Sequence, residues 1–284
     1  MRSTMGLIDF ILNLAGLLLW LSWRSQRFDP LVRRQPATLA GTLQRAGSRQ
    51  IQGWQLGCGL VLLLVFRALL YWFIGAPADW TPKLDLGLIV PAFRSDTIRI
   101  LFLFSLLSFL RVLLIFYFWL LVLAVLNRRV VEPDPTLRLV RLHLGGAAKW
   151  PWPVQVLAPF VATVALWCLL YPLLVRLGVI MRVGSVVALL EQGLLLAAGL
   201  FLTLKFLLPV ILFLYLVASY VYLGSSPVWD FVTHTARNVL RPISWAPLRL
   251  ARLDLAPVAA VALLFLLLHW LPRLLQRNFA LWPQ

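Results

Sequence analysis

The sequence has few of the side chains that most catalytic and redox sites require. It contains two cysteines and three histidines in 284 residues. Both cysteines, Cys58 and Cys168, lie inside apolar runs, which argues against a disulfide framework or a CxxC redox centre and predicts two small buried side chains. No HExxH, Walker, glycine-rich dinucleotide or Ser-His-Asp pattern occurs. We therefore expect a protein that is not an enzyme and needs no cofactor.

Charged residues are also scarce, at 13% of the chain, whereas 62% of the residues are hydrophobic and the mean hydropathy is +0.89. A soluble fold could not bury so much apolar surface, so the surrounding solvent is predicted to be lipid. The charges are unbalanced, with 26 basic against 10 acidic residues. Because the arginines crowd beside apolar runs, anionic lipid headgroups are the expected partner, and nucleic acid is not.

Six apolar segments are long enough to cross a bilayer, which requires about 20 helical residues. They predict an all-α, polytopic transmembrane protein. The segments comprise residues 5–23, 54–74, 98–126, 153–178, 200–223 and 255–271. The fifth follows another apolar stretch, residues 183–199, which contains Glu191 and is interpreted as an interfacial or re-entrant approach. Pro209 is expected to kink the fifth span.

The distribution of charge predicts the orientation of these spans. Most of the basic residues fall in the segments that follow spans one, three and five. By the positive-inside rule these three arms are predicted to be cytoplasmic and both termini to lie outside. Tryptophans and tyrosines near the span ends are interpreted as interfacial anchors. They are Trp20, Trp23, Trp54, Tyr71, Trp72, Trp150, Trp152, Trp270 and Trp282.

The chain repeats a unit in which an apolar span runs into a basic, proline-marked arm and then into another span. Asp29-Pro30 in the first arm corresponds to Asp134-Pro135 in the second. Proline forces an extended residue before it and then allows a helix to start, so each arm is predicted to contain an amphipathic helix lying flat on the membrane. The three predicted hairpins occupy residues 1–97, 98–182 and 183–284.

The third arm is the clearest copy. Apolar side chains at positions 228, 231, 232, 235, 239 and 240 recur at helical spacing, counting the methyl group of Thr235. Arg237 and Arg241 lie four residues apart, so the pattern predicts a surface helix over residues 228–241 with these cations towards the headgroups. Asp254 is expected to cap a helix that begins near Leu255.

The third copy resembles the repeating unit of the YggT family, also called YlmG, over about residues 205–271, and the second copy resembles it more loosely. The matching positions in the third copy are Pro227, Val239-Leu240-Arg241-Pro242, Pro247 and Asp254-Leu-Ala-Pro257. In the second copy they are Asp134, Pro135, Arg138, Arg141 and Pro151-Trp-Pro153. Ser226 and Asn238 depart from the family, which prefers asparagine and proline at these positions.

The resemblance implies a non-enzymatic membrane protein, because members of this family are linked to the assembly of membrane complexes, including haem attachment to cytochrome b in the chloroplast b–f complex. It implies that this chain is a scaffold or accessory factor with other integral membrane proteins as partners. Contacts with lipid and partners are expected at the repeat markers and arm arginines. These residues are Asp134, Pro135, Arg138, Arg141, Pro227, Arg237, Arg241, Pro242, Asp254 and Pro257.

Several polar residues lie within or close to apolar runs, namely Asp9, Asn13, Arg67, Arg111 and Glu191. A cation costs about 2.5–3.5 kcal/mol at mid-span, so Arg67 and Arg111 are expected to face the bundle interior or to snorkel, unless they line a pathway. Asp9 and Asn13 share one helix face. An interhelical hydrogen bond, or a pairing of Asp9 with an arginine, is expected there.

Two other functions stay open at this point. A transporter or channel would place water around Asp9, Arg67, Arg111 and Glu191. A haem-handling protein would bring His143 and His234 together as ligands. A scaffold, in contrast, predicts dry spans with a large apolar surface that faces lipid or partners.

Overall fold

The computed structural model describes residues 2–28, 53–75, 81–86, 90–93, 97–129, 135–221, 224, 226–241, 249–250, 253–254, 261–263, 266 and 270. The main helices in these ranges are α1 (Arg2–Phe28), α2 (Gly53–Gly75), α3 (Ile98–Leu126), α4 (Pro135–Leu144), α5 (Trp152–Arg176), α6 (Val186–Leu202), α7 (Leu204–Tyr220) and α8 (Pro227–Leu240). A short 3-10 helix, Gly145–Lys149, follows α4. Two short strands, β1 (Arg249–Leu250) and β2 (Leu253–Asp254), pair antiparallel.

Five helical segments in the described part of the chain are long and apolar enough to cross a membrane. They are Met5–Ser25, Gly53–Ile74, Ile98–Leu126, Trp152–Arg176 and Val186–Tyr220. The first four agree closely with the spans predicted from the sequence, and the expected all-α, polytopic membrane fold is confirmed. The predicted sixth span, residues 255–271, lies mostly outside the described residues.

The fifth segment is longer than the sequence predicted. Residues 183–199 were expected to approach the membrane surface, but most of them belong to helix α6, which begins after Ser185 and packs along α5. The Ser185 hydroxyl accepts a hydrogen bond from the Ala188 N–H at 3.2 Å and so caps α6. Helix α6 then continues into α7 after a break at Thr203, which lies before Pro209, the position of the expected kink.

The helices α5 and α6 form an antiparallel hairpin. The ring of Phe160 contacts Phe201, and Trp167, about two turns further along α5, donates its Nε1–H to the Gln192 amide oxygen at 3.2 Å. Gly193 permits close packing, because a Cβ atom there would lie 3.1 Å from a methyl group of Val164. The polar Gln192, which favoured an interfacial position in the sequence, is therefore buried and satisfied within this hairpin.

The chain forms two compact units, each described here by itself. The first unit comprises Met1–Leu84 with Pro91–Leu114. Helix α1 packs against α2, and the first part of α3 contributes Phe109 to a core that also contains Leu60 and Leu64. Gly16 allows α1 to approach α3, since a Cβ atom there would lie 2.9 Å from a ring carbon of Phe109.

The second unit comprises Asp85–Val90 with Ile115–Gln284 and contains the α5–α6 hairpin, α7 and both short amphipathic helices, α4 and α8. Pro135 and Pro227 begin these two helices, and Ser226 before Pro227 is extended with φ −122° and ψ 139°. The helix predicted over residues 228–241 is thus confirmed as α8.

The apolar faces of α4 and α8 pack on the protein itself. They share a buried cluster with the end of α3 and the middle of α7. The members of this cluster are Leu123, Ala124, Val140, Leu144, Ile211, Leu212, Ala236 and Leu240. The two arms also touch each other, so much of the surface expected to rest on lipid is covered by neighbouring helices.

Candidate functional site: a buried arginine network

Six polar residues from three helices meet inside the first unit. They are Asp9 and Asn13 on α1, Arg67 and Tyr71 on α2, and Ser105 and Ser108 on α3. Within each helix the two members are three or four residues apart, which places them on one helix face. We call this group the arginine network.

Arg67 is the centre of the network and is only 1% exposed, which makes it the one buried charged side chain among the described residues. A guanidinium carries five N–H groups. Each of them points at an acceptor in the first unit, and the longest contact is the one to a backbone carbonyl. The acceptors are Tyr71 Oη at 2.9 Å, Asn13 Oδ1 at 2.8 Å, Ser108 Oγ at 2.7 Å, the Ser105 carbonyl at 3.5 Å and Asp9 Oδ1.

The carboxylate of Asp9 supplies the counter-charge. Its Oδ1 accepts hydrogen bonds from Arg67 and from the hydroxyl of Tyr71. Its Oδ2 accepts from Asn13 Nδ2 at 3.1 Å. The Asp9 side chain is 27% exposed, whereas the other five members are buried. Asp9 is therefore the member of the network that is accessible from outside the protein.

Neutral groups hold this ion pair in place. Asn13 Nδ2 also donates to Ser108 Oγ at 3.2 Å, and the Ser105 hydroxyl donates to the Leu64 carbonyl at 3.0 Å, which ties α3 to α2. The rings of Tyr71 and Phe104 lie 5.5 and 5.9 Å from the guanidinium carbon of Arg67, within the range of cation–π attraction. The sequence-based expectations that Asp9 pairs with an arginine and that Arg67 faces the bundle interior are confirmed.

The hydrogen-bond geometry of this network favours a structural role. Removing a guanidinium and a carboxylate from water costs several kcal/mol per ion, and this cost is offset only when the remaining donors and acceptors are also satisfied. Here that condition is met by three helices at once. The network therefore fixes the register of α1, α2 and α3 in an environment where apolar contact alone gives helices little preference for one another.

A second polar group, without charge, joins an arm to the end of α3. Asn127 is buried and donates from Nδ2 to Thr235 Oγ1 at 2.8 Å and to the Leu123 carbonyl at 3.1 Å. Its Oδ1 accepts from Asn238 Nδ2 at 3.1 Å. We call these residues the asparagine cluster. It uses Asn238, one of the two positions at which the sequence departs from the YggT pattern.

The remaining predicted site residues belong to other positions on α3, to α6, to the arms and to the segment after α8. Arg111 on α3 and Glu191 on α6 are partly exposed. On the arms the predicted arginines are exposed, namely Arg138, Arg141, Arg237 and Arg241. The backbone of Asp254 pairs with Arg249 in the β1–β2 pair, and Leu255, where a helix was expected to begin, is outside the described residues. Asp134, Pro242 and Pro257 are also outside them.

Two sequence-based interpretations need correction, and two site residues were missed. Tyr71 was interpreted as an interfacial anchor, but it is completely buried in the arginine network, because an aromatic residue near a span end gives the same sequence signal in both positions. Cys58 is exposed and Cys168 partly exposed, so neither is the small buried residue that its apolar surroundings suggested. Ser105 and Ser108 were missed, because neither serine carries a charge and a spacing of three residues is by itself a weak signal.

Two of the three histidines, His143 and His234, are among the described residues. His143 lies on α4 with Nδ1 2.9 Å from the Leu139 carbonyl oxygen, and His234 is exposed on α8. Within the described residues no group of three or more His, Cys, Asp and Glu side chains is arranged to hold a metal ion.

Comparisons with protein-family models, curated proteins and solved structures find no match to this chain. The likeness to the YggT unit therefore rests on the motif positions alone.

Proposed function

We propose that this chain is a non-enzymatic, YggT-like membrane protein that acts as a scaffold or accessory factor in the assembly of a larger membrane complex. The observation that carries the proposal is the complete use of the five N–H groups of Arg67 by acceptors inside the first unit. A guanidinium engaged in this way holds three helices together and has no donor left for a solute. Arg67, the most deeply buried charged residue in the described spans, thus has a structural role.

The outer surface of the helices also supports this proposal. Large apolar side chains such as Phe66, Phe73, Leu169 and Phe213 are more than half exposed along the spans. A surface of this kind packs against lipid chains or against the helices of other membrane proteins. The exposed arm arginines offer a second surface, suited to anionic headgroups or to acidic segments of a partner.

The proposal places the protein in the inner membrane of a bacterium, with the basic arms on the cytoplasmic side and both termini outside. The orientation is supported by the excess of arginine in the loops after the first, third and fifth spans. Partners and anionic lipids would then meet the arms from the cytoplasmic leaflet.

Gene deletion followed by measurement of membrane-complex abundance tests the proposal. We expect at least one complex to fall in native gels and quantitative proteomics, and wild-type protein to restore it. The double substitution Arg237→Glu with Arg241→Glu should fail to restore it, because it reverses the charge of the exposed face of α8. Arg182→Glu, which changes an exposed arginine in the loop between α5 and α6, is the matched control and should restore the complex. Unchanged complex levels in the deletion strain would contradict the scaffold proposal.

A second candidate function, solute or ion transport, is favoured by one observation. Asp9 is partly exposed while it contacts Arg67, which is an arrangement that a proton or cation could reach. Uptake assays with purified protein in liposomes separate the two functions. A flux that is lost on Asp9→Asn, together with normal complex levels in the deletion strain, would replace the scaffold by a transporter.

A further inference from the structure

The chain between α2 and α3 folds back onto the first unit. Two extended segments there, residues 82–84 and 91–93, run antiparallel to each other, with Lys83 opposite Ala92. Both segments belong to the first unit. They come after α2 and before α3 in the chain, so they lie at the end of the unit where these two helices are connected. We call them the capping segments.

The capping segments are joined by few hydrogen bonds. The Leu84 N–H donates to the Pro91 carbonyl at 3.0 Å, and the Phe93 N–H donates to the Pro82 carbonyl at 2.8 Å. Proline has no N–H, so neither Pro82 nor Pro91 can return the second hydrogen bond that such a pair has in an antiparallel sheet. The burial of side chains therefore contributes most of what holds the segments in place.

The side chains of the capping segments alternate between two faces, as they do in a β-strand. Pro82, Leu84 and Phe93 are buried, with exposed fractions of 4% or less. Lys83 and Ala92, on the other face, are exposed. One face of the segments is thus apolar and packed on the protein, and the opposite face carries a lysine and is accessible.

The buried face reaches the arginine network through aromatic rings. Phe93 contacts Phe104 on α3, with ring centroids 5.4 Å apart. Phe104 in turn contacts the ring of Tyr71 at 5.7 Å and lies 5.9 Å from the guanidinium carbon of Arg67. Phe93 therefore lies against the rings that enclose Arg67.

The arginine network lies close to the end of the unit that the capping segments cover. Tyr71 is four residues from the end of α2, and Ser105 is seven residues from the start of α3. These intervals correspond to about 6 and about 10 Å along the helix axes. Water at the helix ends would be near Arg67 without a cover, whereas Arg67 is only 1% exposed.

The capping segments can move without breaking the network. The five acceptors of Arg67 all belong to α1, α2 and α3. Displacing the capping segments therefore separates apolar surfaces and two backbone hydrogen bonds, and it leaves the contacts of the guanidinium intact.

We propose that the capping segments are a lid, closed in this structure, whose opening admits water to Arg67 and Ser105. Asp9 is partly exposed in the closed state, so the lid controls access to the α2–α3 side of the network and not to Asp9. This device goes beyond the proposed scaffold function and does not depend on it.

A thiol beneath the lid reports its opening. Ser105 is completely buried and contributes only its backbone carbonyl to Arg67, so Ser105→Cys leaves the five acceptors unchanged. The experiment uses the full chain with Cys58→Ala and Cys168→Ala in lipid nanodiscs. Mass spectrometry measures the rate at which a methanethiosulfonate reagent with a quaternary ammonium group modifies the introduced thiol. This charged reagent stays in water, so modification should be slow while the lid is closed.

Phe93→Ala should open the lid, because it removes the largest buried side chain of the capping segments. The rate of modification should rise by about 100-fold, since truncation of a buried phenylalanine shifts an opening equilibrium by at least this factor. Phe102→Ala is the matched control on α3, at a position that is 41% exposed, and it should change the rate by less than about threefold. Phe93→Leu, which still fills the site, should keep modification slow.

Hydrogen exchange distinguishes an open lid from a loosened fold. In Phe93→Ala, peptides that contain the capping segments should exchange faster than in the unchanged chain. Peptides from α2 and α3 should exchange as before, because the arginine network still holds these helices together.

Three results would overturn the proposal. Rapid modification of the Ser105→Cys thiol with Phe93 in place would show that water reaches the network past the capping segments. An unchanged rate in Phe93→Ala would show that these segments do not exclude water. Equal acceleration by Phe93→Ala and Phe102→Ala, or faster exchange throughout α2 and α3, would mean that Phe93 belongs to the fixed core of the unit and not to a lid.

Discussion

The arginine network and the asparagine cluster both hold helices together, but they use different chemical groups. Both join helices through buried polar side chains in a protein whose helices are otherwise apolar. The arginine network uses an ion pair, Arg67 with Asp9, surrounded by neutral groups on three helices. The asparagine cluster uses only amide and hydroxyl groups, Asn127, Thr235 and Asn238.

The two groups differ in how much free energy of unfolding is lost when one of their side chains is removed. A neutral interhelical hydrogen bond in a membrane protein contributes about 0.6 kcal/mol on average and at most about 1.7 kcal/mol. A buried ion pair that loses one partner leaves an uncompensated charge, and the loss is about 3–5 kcal/mol. The first unit should therefore depend on one residue much more strongly than the second unit does. The two cysteines provide separate reporters, since Cys58 lies in the first unit and Cys168 in the second.

The largest effect is expected from Arg67→Met. This change leaves Asp9 without its counter-charge and removes the donors to four further acceptors, so the free energy of unfolding of the first unit should fall by about 3–5 kcal/mol. Titration with SDS in mixed micelles, read by a fluorophore on Cys58 with Cys168→Ala, measures this loss.

Arg111→Met is the matched control, because it removes a partly exposed arginine from α3 in the same unit. It should lower the free energy of unfolding by less than about 1 kcal/mol. Equal losses for the two variants would show that the arginine network has no special weight. The double variant Arg67→Met with Asp9→Leu should recover part of the loss, since an apolar replacement of a whole buried ion pair is often neutral.

An intermediate effect is expected from Tyr71→Phe. The hydroxyl of Tyr71 accepts from Arg67 and donates to Asp9, so its removal leaves two buried groups one hydrogen bond short. The free energy of unfolding should fall by about 1–2 kcal/mol in the same Cys58 assay. Tyr220→Phe, at an exposed position and read at Cys168, should change it by less than about 0.5 kcal/mol. If Tyr71→Phe lowered the free energy of unfolding no more than this control does, the hydroxyl of Tyr71 would not stabilise the first unit.

The smallest effect is expected in the asparagine cluster. Asn127→Ala removes hydrogen bonds to Thr235 and Asn238, and it should lower the free energy of unfolding of the second unit by about 0.6–1.7 kcal/mol. A fluorophore on Cys168 with Cys58→Ala reports this change. Asn238→Ala removes only one of these hydrogen bonds and should cost less. If Asn127→Ala were as damaging as Arg67→Met, the distinction between charged and neutral clusters would be wrong.

The comparison also shows which features a sequence reveals. The first four spans were predictable because about 20 consecutive apolar residues have one physical explanation. Arg67, Asp9 and Asn13 were identified because a charge or an amide is costly inside an apolar run. Asn127 and Thr235 carry no charge and lie at helix ends or in arms, where polar residues are common. Their pairing across 108 residues follows only from the packed structure.

The errors have the same physical origin. Tyr71 lies near a span end, where an interfacial aromatic is expected, but its hydroxyl contacts Arg67 on the same helix and Asp9 on α1. The contact with Asp9 joins residues 62 positions apart and cannot be read from the sequence. Likewise Glu191 and Gln192 favoured a surface position for residues 183–199, whereas Gln192 is satisfied by Trp167 on the antiparallel neighbour. Local polarity predicts exposure only when no partner exists elsewhere in the fold.

The length of the α6–α7 segment links this protein to the thickness of its membrane. Its 35 residues measure about 52 Å as a straight helix, against about 30 Å of hydrocarbon core. Even a tilt of about 40° leaves a projection of about 40 Å along the bilayer normal. The break at Thr203 lets the two halves lean at different angles. The α6–α7 segment can thus accommodate hydrophobic mismatch by bending at this break. Because α8 follows α7 in the chain, a change in the tilt of α7 would also move α8.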